Sequence, residues 1–509
     1  MLNVQHLSIV NVRDQRTLLR DCSFTLAGRE RLAVIGEEGD GKSALLKAVC
    51  DPESLSDWAE VTGHVSLSGE RPGYLPQEAP DAWARESACA LCLTEEAFPA
   101  DDPGALSALC RRLNMDPALC WSETPFGLLS GGERVRLRLL LLLCREPTML
   151  VLDEPGNDLD LDALEALERF LLTCGLPALY VSHDEALLRH TATQVLHLES
   201  IRGRAEPRWT WARVAYGEYV SGRRAALDRQ EEEWQQERRE RRAREERFRR
   251  VEEAVARAQE NISRQDPHGG RLLKKKMKAV KSLERRYRRE DARAVERPWE
   301  EFPMFAVFRG VAPIPQGRGV LDLNLNSLEA GGRVLSRNLR LRIRGPEKVL
   351  ITGPNGCGKT TLLREIQRRL ETDGTLRAAL MPQRYEELLD PDKTPLEALH
   401  MDGTKEQLTF IRTALGAMKL TQDELQHPIA SLSGGQKAKV LLLRLMLMEP
   451  DVLLADEPTR NLSPLSAPVM RELLRTFPGA VICVTHDRTL MAEWPGRALR
   501  LTADGLAEA

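Results

Sequence analysis

The sequence predicts an α/β protein with two tandem P-loop nucleotide-binding domains joined by an α-helical hairpin linker. Three observations predict it. A glycine-rich phosphate loop occurs twice, the same series of motifs follows each copy, and one highly charged, helix-forming stretch separates the two series. Residues 1–215 read as the first domain, 216–301 as the hairpin and 302–509 as the second domain.

The loops are Gly36-Glu-Glu-Gly39-Asp-Gly41-Lys42-Ser43 and Gly353-Pro-Asn355-Gly356-Cys-Gly358-Lys359-Thr360, both of the form G-x-x-x-x-G-K-[ST]. Each follows an apolar run, Leu32 to Ile35 and Val349 to Ile351, and opens into helix formers. That strand–loop–helix setting lets backbone N–H groups wrap a polyphosphate. The lysine neutralises β/γ oxygens and the hydroxyl ligates Mg²⁺.

In the first domain, Leu2 to Val12 and Cys22 to Leu26 read as antiparallel strands leading to the loop. After the pair Pro76-Gln77 comes a short mixed, helical stretch and then Leu129-Ser130-Gly131-Gly132-Glu133. Ser130 is placed to cap a helix whose apolar residues fill the core. Met149 to Leu152 then forms a buried strand ending in Asp153-Glu154, Leu161 to Leu172 a helix, and Ala178 to Ser182 a strand ending in His183. The second domain repeats the order. Strands at Leu321 to Leu325 and Leu339 to Ile343 precede its loop, followed by Pro382-Gln383, Leu432-Ser433-Gly434-Gly435-Gln436, Asp456-Glu457 and His486.

Residues 221–300 carry 25 Lys/Arg against 17 Asp/Glu, although the whole chain has a net charge of −3. Between 264 and 289 the balance is 11 basic to two acidic, which suggests an anionic partner met at that element. A break at Gln265 to Gly270 divides two helical runs, so an antiparallel hairpin is expected whose shorter arm extends roughly 40 Å. A solvated spacer between the domains is the bland alternative. No apolar run approaches the length of a membrane span. Ten scattered cysteines and one lone C-x-x-C, Cys89 to Cys92, read as reduced thiols in a cytoplasmic protein, with that pair on a helix face.

Phosphoryl hydrolysis requires charge neutralisation and a positioned water. Lys42 and Lys359 are expected on the β/γ-phosphates of ATP. Ser43, Asp153 and Gln77 are expected around one Mg²⁺, and Thr360, Asp456 and Gln383 around the other. Glu154 and Glu457 follow the metal carboxylates and are placed to polarise the attacking water, with His183 and His486 near the γ-phosphate. Glu37, Glu38 and Asp40 put three carboxylates in the first loop, which weakens polyphosphate binding unless they are screened. Unequal sites are therefore expected.

The two Leu-Ser-Gly-Gly-Glu/Gln signatures, with the other motifs, resemble the ATP-binding cassette family over both nucleotide domains. The resemblance implies that each signature completes the partner's site. Gly36 to Ser43, Gln77, Asp153, Glu154 and His183 would be joined by Ser433, Gly434 and Gly435. Gly353 to Thr360, Gln383, Asp456, Glu457 and His486 would be joined by Ser130, Gly131 and Gly132. Two cassettes on one chain with a charged hairpin between them resemble the ABC-F branch. That implies a monomer whose cassettes close on each other, bound to a 70S-type ribosome, with the hairpin reaching toward the peptidyl-transferase region and P-site tRNA. Arg264, His268, Arg271, Lys274, Lys275, Lys276, Lys278 and Lys281 would contact rRNA or tRNA phosphates. Asp456-Glu-Pro-Thr-Arg-Asn-Leu-Ser-Pro464 looks like the loop of antibiotic-resistance members rather than housekeeping translation factors. The other readings are the energy subunit of a membrane exporter, which gives no reason for a basic hairpin, and a DNA-associated ATPase, whose far longer coiled coils or zinc modules are not found in this sequence.

Overall fold

The computed structural model describes residues 1–13, 15–157, 159–201, 206–260, 275, 278, 282, 311–400, 403–418, 420–460 and 462–508. Two compact units emerge, Met1–Gly217 together with Glu301–Ala509, and Glu218–Glu300.

In the first half of the larger unit, β1 (Leu2–Asn11) pairs antiparallel with β2 (Thr17–Leu26), and β3 (Arg31–Ile35) enters the first phosphate loop and α1 (Lys42–Cys50). Then come β4 (Ala59–Ser66), β5 (Pro72–Leu75), α2 (Ala88–Thr94), α3 (Pro103–Arg112) and α4 (Gly131–Cys144). The half continues through β6 (Met149–Asp153), α5 (Leu161–Thr173), β7 (Ala178–Val181), α6 (Glu185–Thr191), β8 (Gln194–Ile201) and β9 (Glu206–Ala212). Its main sheet has the order β5-β6-β7-β3-β8-β9, parallel except for β9. Every residue of β6 and β7 is buried, as expected of parallel strands covered on both faces.

The second half repeats this plan. β10 (Gly319–Ala330) and β11 (Arg333–Arg344) form a two-stranded ribbon before β12 (Lys348–Thr352), the second phosphate loop and α8 (Lys359–Asp373). There follow β13 (Ala378–Met381), α9 (Pro395–Leu399), α10 (Lys405–Ala417), α11 (Gln422–Gln426), α12 (Gly434–Leu447) and β14 (Val452–Asp456). The chain ends through α13 (Ala467–Thr476), β15 (Ala480–Val484), α14 (Arg488–Ala492), β16 (Arg497–Thr502) and β17 (Gly505–Glu508), with sheet order β13-β14-β15-β12-β16-β17.

In each sheet the chain leaves the strand carrying the phosphate loop, β3 or β12, toward the far edge at β5 or β13 and then returns strand by strand past it to β8 or β16, so the direction of connection reverses at that strand. Parallel α/β sheets open a crevice there, at the carboxyl ends of the strands. The loops, Asp153-Glu154, Asp456-Glu457, His183 and His486 all follow such strand ends.

The helical element begins as α7 (Tyr216–Glu260), a continuous 45-residue helix. Ion pairs such as Arg241–Glu245 at 3.0 Å and the Arg238 guanidinium over the Trp234 ring line its surface. The expected tip and Arg264, His268, Arg271, Lys274, Lys276 and Lys281 lie outside the described residues. Lys275 and Lys278 are described as helical and exposed.

All ten cysteines are free thiols, and Cys92 packs inward on α2. Burial, seconded by the Asp21 and Asp51 carboxylates, pushes Cys22 and Cys50 up to about 12. Among the described residues no cluster of three or more His, Cys, Asp or Glu is placed to hold a metal ion. No helix among them is long and apolar enough to cross a membrane.

Candidate active sites

Both phosphate loops use left-handed glycines that an L side chain would strain. Gly41 (φ 87°) and Gly358 (φ 101°) turn the chain into α1 and α8. Gly36 sits so close to β8 that a Cβ would come within 2.4 Å of the Leu198 carbonyl. Gly39 and Gly356 share the positive φ. Lys42 Nζ donates to the Gly36 and Glu37 carbonyls at 2.8 and 2.9 Å, and Lys359 Nζ to those of Gly353 and Pro354 at the same distances. Each ammonium thus folds back over its own loop.

Behind the loops, Thr360 Oγ1 donates to Asp456 Oδ2 at 2.6 Å, and Ser43 hydrogen-bonds Asp153. Burial raises both carboxyls above the usual range. Asp153 Oδ1 is buried without a hydrogen-bond partner. A buried acceptor beside a hydroxyl suits Mg²⁺, which takes one or two carboxylates and fills its octahedron with phosphate oxygens and water. Gln383 lines a cleft with Thr360 and Asp456, whereas Gln77 is exposed just past β5 and its carbonyl accepts from Arg138.

Glu154 and Glu457 have φ of 47° and 52°, a left-handed conformation that costs a non-glycine residue on the order of 1–3 kcal/mol. Their N–H groups donate across the sheet to the Val181 and Val484 carbonyls, which fixes the turn. Their surroundings differ. Burial raises the Glu154 carboxyl, but His183, with Lys42 and Asn157, outweighs it and brings it down to about 2. His183 Nε2 is 2.8 Å from Glu154 Oε1, and its Nδ1 is 2.8 Å from the Leu462 carbonyl of the second half. Burial dominates at Glu457 and holds it at about 7. Its Oε2 accepts from the His486 N–H at 3.1 Å, but the His486 ring is 3.7 Å from Oε1. Burial and Lys359 lower His486 to about 4.

The structure brings each loop to the other half's signature. Ser130 and Ser433 cap α4 and α12 in reciprocal boxes with Glu133 and Gln436. A cleft of about 790 Å³ is lined by Ser130 and Gly131 from one half and Asn355, Lys359, Thr360 and Glu457 from the other. Glu154, His183 and His486 line it as well. Gly132 packs on α5, where an added Cβ would meet Ala163 Cβ at 3.0 Å. At the other junction Gly434 N–H donates to Glu38 Oε2, and Lys439 Nζ lies 3.2 Å from Glu37 Oε1.

These contacts show how the three loop carboxylates are accommodated. Glu37 and Glu38 face the opposite signature helix. Asp40 is buried, accepting from the Glu37 N–H at 2.8 Å and from Ser200 Oγ at 2.9 Å. Sequence reasoning flagged the carboxylates but missed Lys439. It also missed the charged joint in which Arg471 bonds Glu185, while Arg488 bonds Glu168 and Asp184 at 2.5 and 3.1 Å.

Residues 19–157 and 336–460 match the ABC transporter family. The chain is 30% identical over 551 residues to the tylosin resistance ATP-binding protein TlrC of Streptomyces fradiae, covering 96% of this chain and 95% of that protein. It is 29% identical over 390 residues to ABC transporter F family member 5 of Arabidopsis thaliana, covering 74% of this chain and 52% of that one, about half its length. The archaeal ribosome recycling factor aABCE1, solved with the ribosomal stalk protein aP1, matches with a TM-score of 0.60. That match covers 99% of this chain and 90% of that one at 18% identity, a likeness of fold.

Proposed function

This chain belongs to the ABC-F branch of the ATP-binding cassette family and hydrolyses ATP, and from that premise we propose that it binds the ribosome in its ATP-closed form and protects it against an antibiotic. The observation that carries the closed form is the shared cleft, in which the Ser130–Gly131 helix start faces Lys359, Thr360 and Glu457. ATP held there would touch both cassettes, so binding joins them and hydrolysis releases them.

The residues divide the work. Loop N–H groups and Lys42 or Lys359 hold the β/γ-phosphates. The start of the opposite signature helix, at Ser130 to Gly132 or Ser433 to Gly435, receives the γ-phosphate. Ser43 with Asp153, and Thr360 with Asp456, Gln77 and Gln383 completing the shells, would hold Mg²⁺, which supplies charge neutralisation. Glu457, in a site that favours its protonated form, is placed to take a proton from water, with His486 beside the phosphate; Glu154 and His183 are their counterparts. The arm bearing Lys275 and Lys278 would meet rRNA or tRNA phosphates.

Support for the target comes from a relative named for tylosin resistance that aligns along nearly the whole chain. The test uses the Glu154→Gln, Glu457→Gln double variant sedimented with ribosomes, with and without ATP. ATP-dependent co-sedimentation, followed by drug release from the pellet, is expected. A variant that binds ATP yet never pellets with ribosomes sinks the proposal.

A further inference from the structure

The Glu38 carboxylate sits against the first N–H of α12, where a helix start attracts an anion. In the second loop the corresponding residue is Asn355, and there Gly131 of the opposite helix lines the open cleft instead. Glu37 strengthens the first junction by pairing with Lys439, which is buried on the same helix. A Cβ at Gly434 would come within 2.4 Å of Glu38 Oε2, so the carboxylate would have to shift to admit one.

We infer that Glu38 is an internal competitor for the γ-phosphate, holding the second signature until a nucleoside triphosphate displaces it and so lowering the first site's preference for ATP over ADP. The inference rests on the assignment of Gly36 to Ser43 as a nucleotide loop. A diphosphate lies on its own loop and does not reach the opposite signature, so Glu38 can remain in place. A triphosphate brings a γ-phosphate to the same N–H, and one of the two anions must leave. The second site, with an amide at that position, lacks this competitor.

The experiment measures equilibrium binding of a non-hydrolysable ATP analogue and of ADP to a chain carrying Lys359→Met, which silences the second loop. Glu38→Gln and Glu38→Ala are compared in that background, the second variant removing the acceptor as well as its charge. Affinity for the analogue is expected to rise about tenfold, the scale of one charge-assisted hydrogen bond, with ADP affinity changed less than about twofold. An equal gain for both nucleotides would make Glu38 only a repulsive charge beside the loop and overturn the inference. No gain for either variant would overturn it too. If ADP binding in this background is unaffected by Lys42→Met, the loop assignment itself fails, and the inference with it.

Discussion

His183 Nε2 lies 2.8 Å from Glu154 Oε1, whereas the corresponding His486 ring stands 3.7 Å from Glu457. The difference separates two carboxylates that share a strand end and a left-handed backbone. Glu457 binds its proton more tightly folded than unfolded, at about 7 against 4.5. Its ionisation therefore opposes folding progressively from pH 4.5 to 7 and fully above. Glu457→Gln should stabilise the nucleotide-free chain at pH 8 by on the order of 3 kcal/mol and much less at pH 5. Glu154 is the reverse, lowered to about 2, so its stabilisation is complete above 4.5 and fades only as pH falls below that. Glu154→Gln removes that stabilisation and should destabilise the chain at pH 5. Denaturant unfolding at the two pH values decides, and a Glu457→Gln effect independent of pH would refute the assignment.

The same contrast bears on turnover. A base must be able to accept a proton near working pH, and a carboxylate locked to a histidine is poorly placed to do so. Glu457→Gln alone should cut steady-state phosphate release by about a hundredfold or more, within the usual range for a general base. Glu154→Gln alone should retain most of it. Equal losses in the two single variants would mean that the nucleotide-free asymmetry does not survive ATP binding.

The duplicated loops, the Ser130 helix cap and the buried strands before Asp153 and Asp456 were legible because each is written in a few adjacent residues. Loop chemistry, cap and apolar run are local. What escaped is which charged side chains meet across the chain. Glu38 meets Gly434, and Arg471 meets Glu185, through apposition of the two halves, and charge alone does not say which distant cation answers which carboxylate. The divergence of Glu154 from Glu457 escaped for another reason. The apolar strands and the Asp-Glu-Pro that closes them are alike, and the difference lies in how far a histidine ring stands from each and in Asn157, which donates to Glu154 where Arg460 follows Glu457.

The joint between the cassettes makes its own prediction. Arg471 and Glu185 are both buried and bonded to each other, and Arg471 Nε also lies 3.3 Å from Asp487. Removing Arg471 leaves the buried Glu185 carboxylate with the half-exposed Arg189 as its remaining cation, at a cost of up to about 3–5 kcal/mol. Arg471→Leu should lower the unfolding midpoint accordingly, and adding Glu185→Leu should recover a large part of the loss. A double variant as unstable as the sum of the two singles would show that the pair is not coupled.

The helical arm can be tested without knowing the path of its tip. Lys275 and Lys278 are exposed on helical backbone within the most basic part of the chain. If they neutralise RNA phosphates, each releases condensed counterions on binding. Every phosphate left without its lysine should then make the plot of log ribosome affinity against log salt shallower by about 0.7–0.9. Lys275→Glu with Lys278→Glu should therefore weaken binding most at low salt and flatten that plot. ATP turnover by the free protein should stay as it was, since neither residue is placed in the nucleotide machinery. An unchanged slope with unchanged affinity would reduce this part of the arm to a solvated spacer, leaving the cassettes to provide whatever grip the protein has on the ribosome.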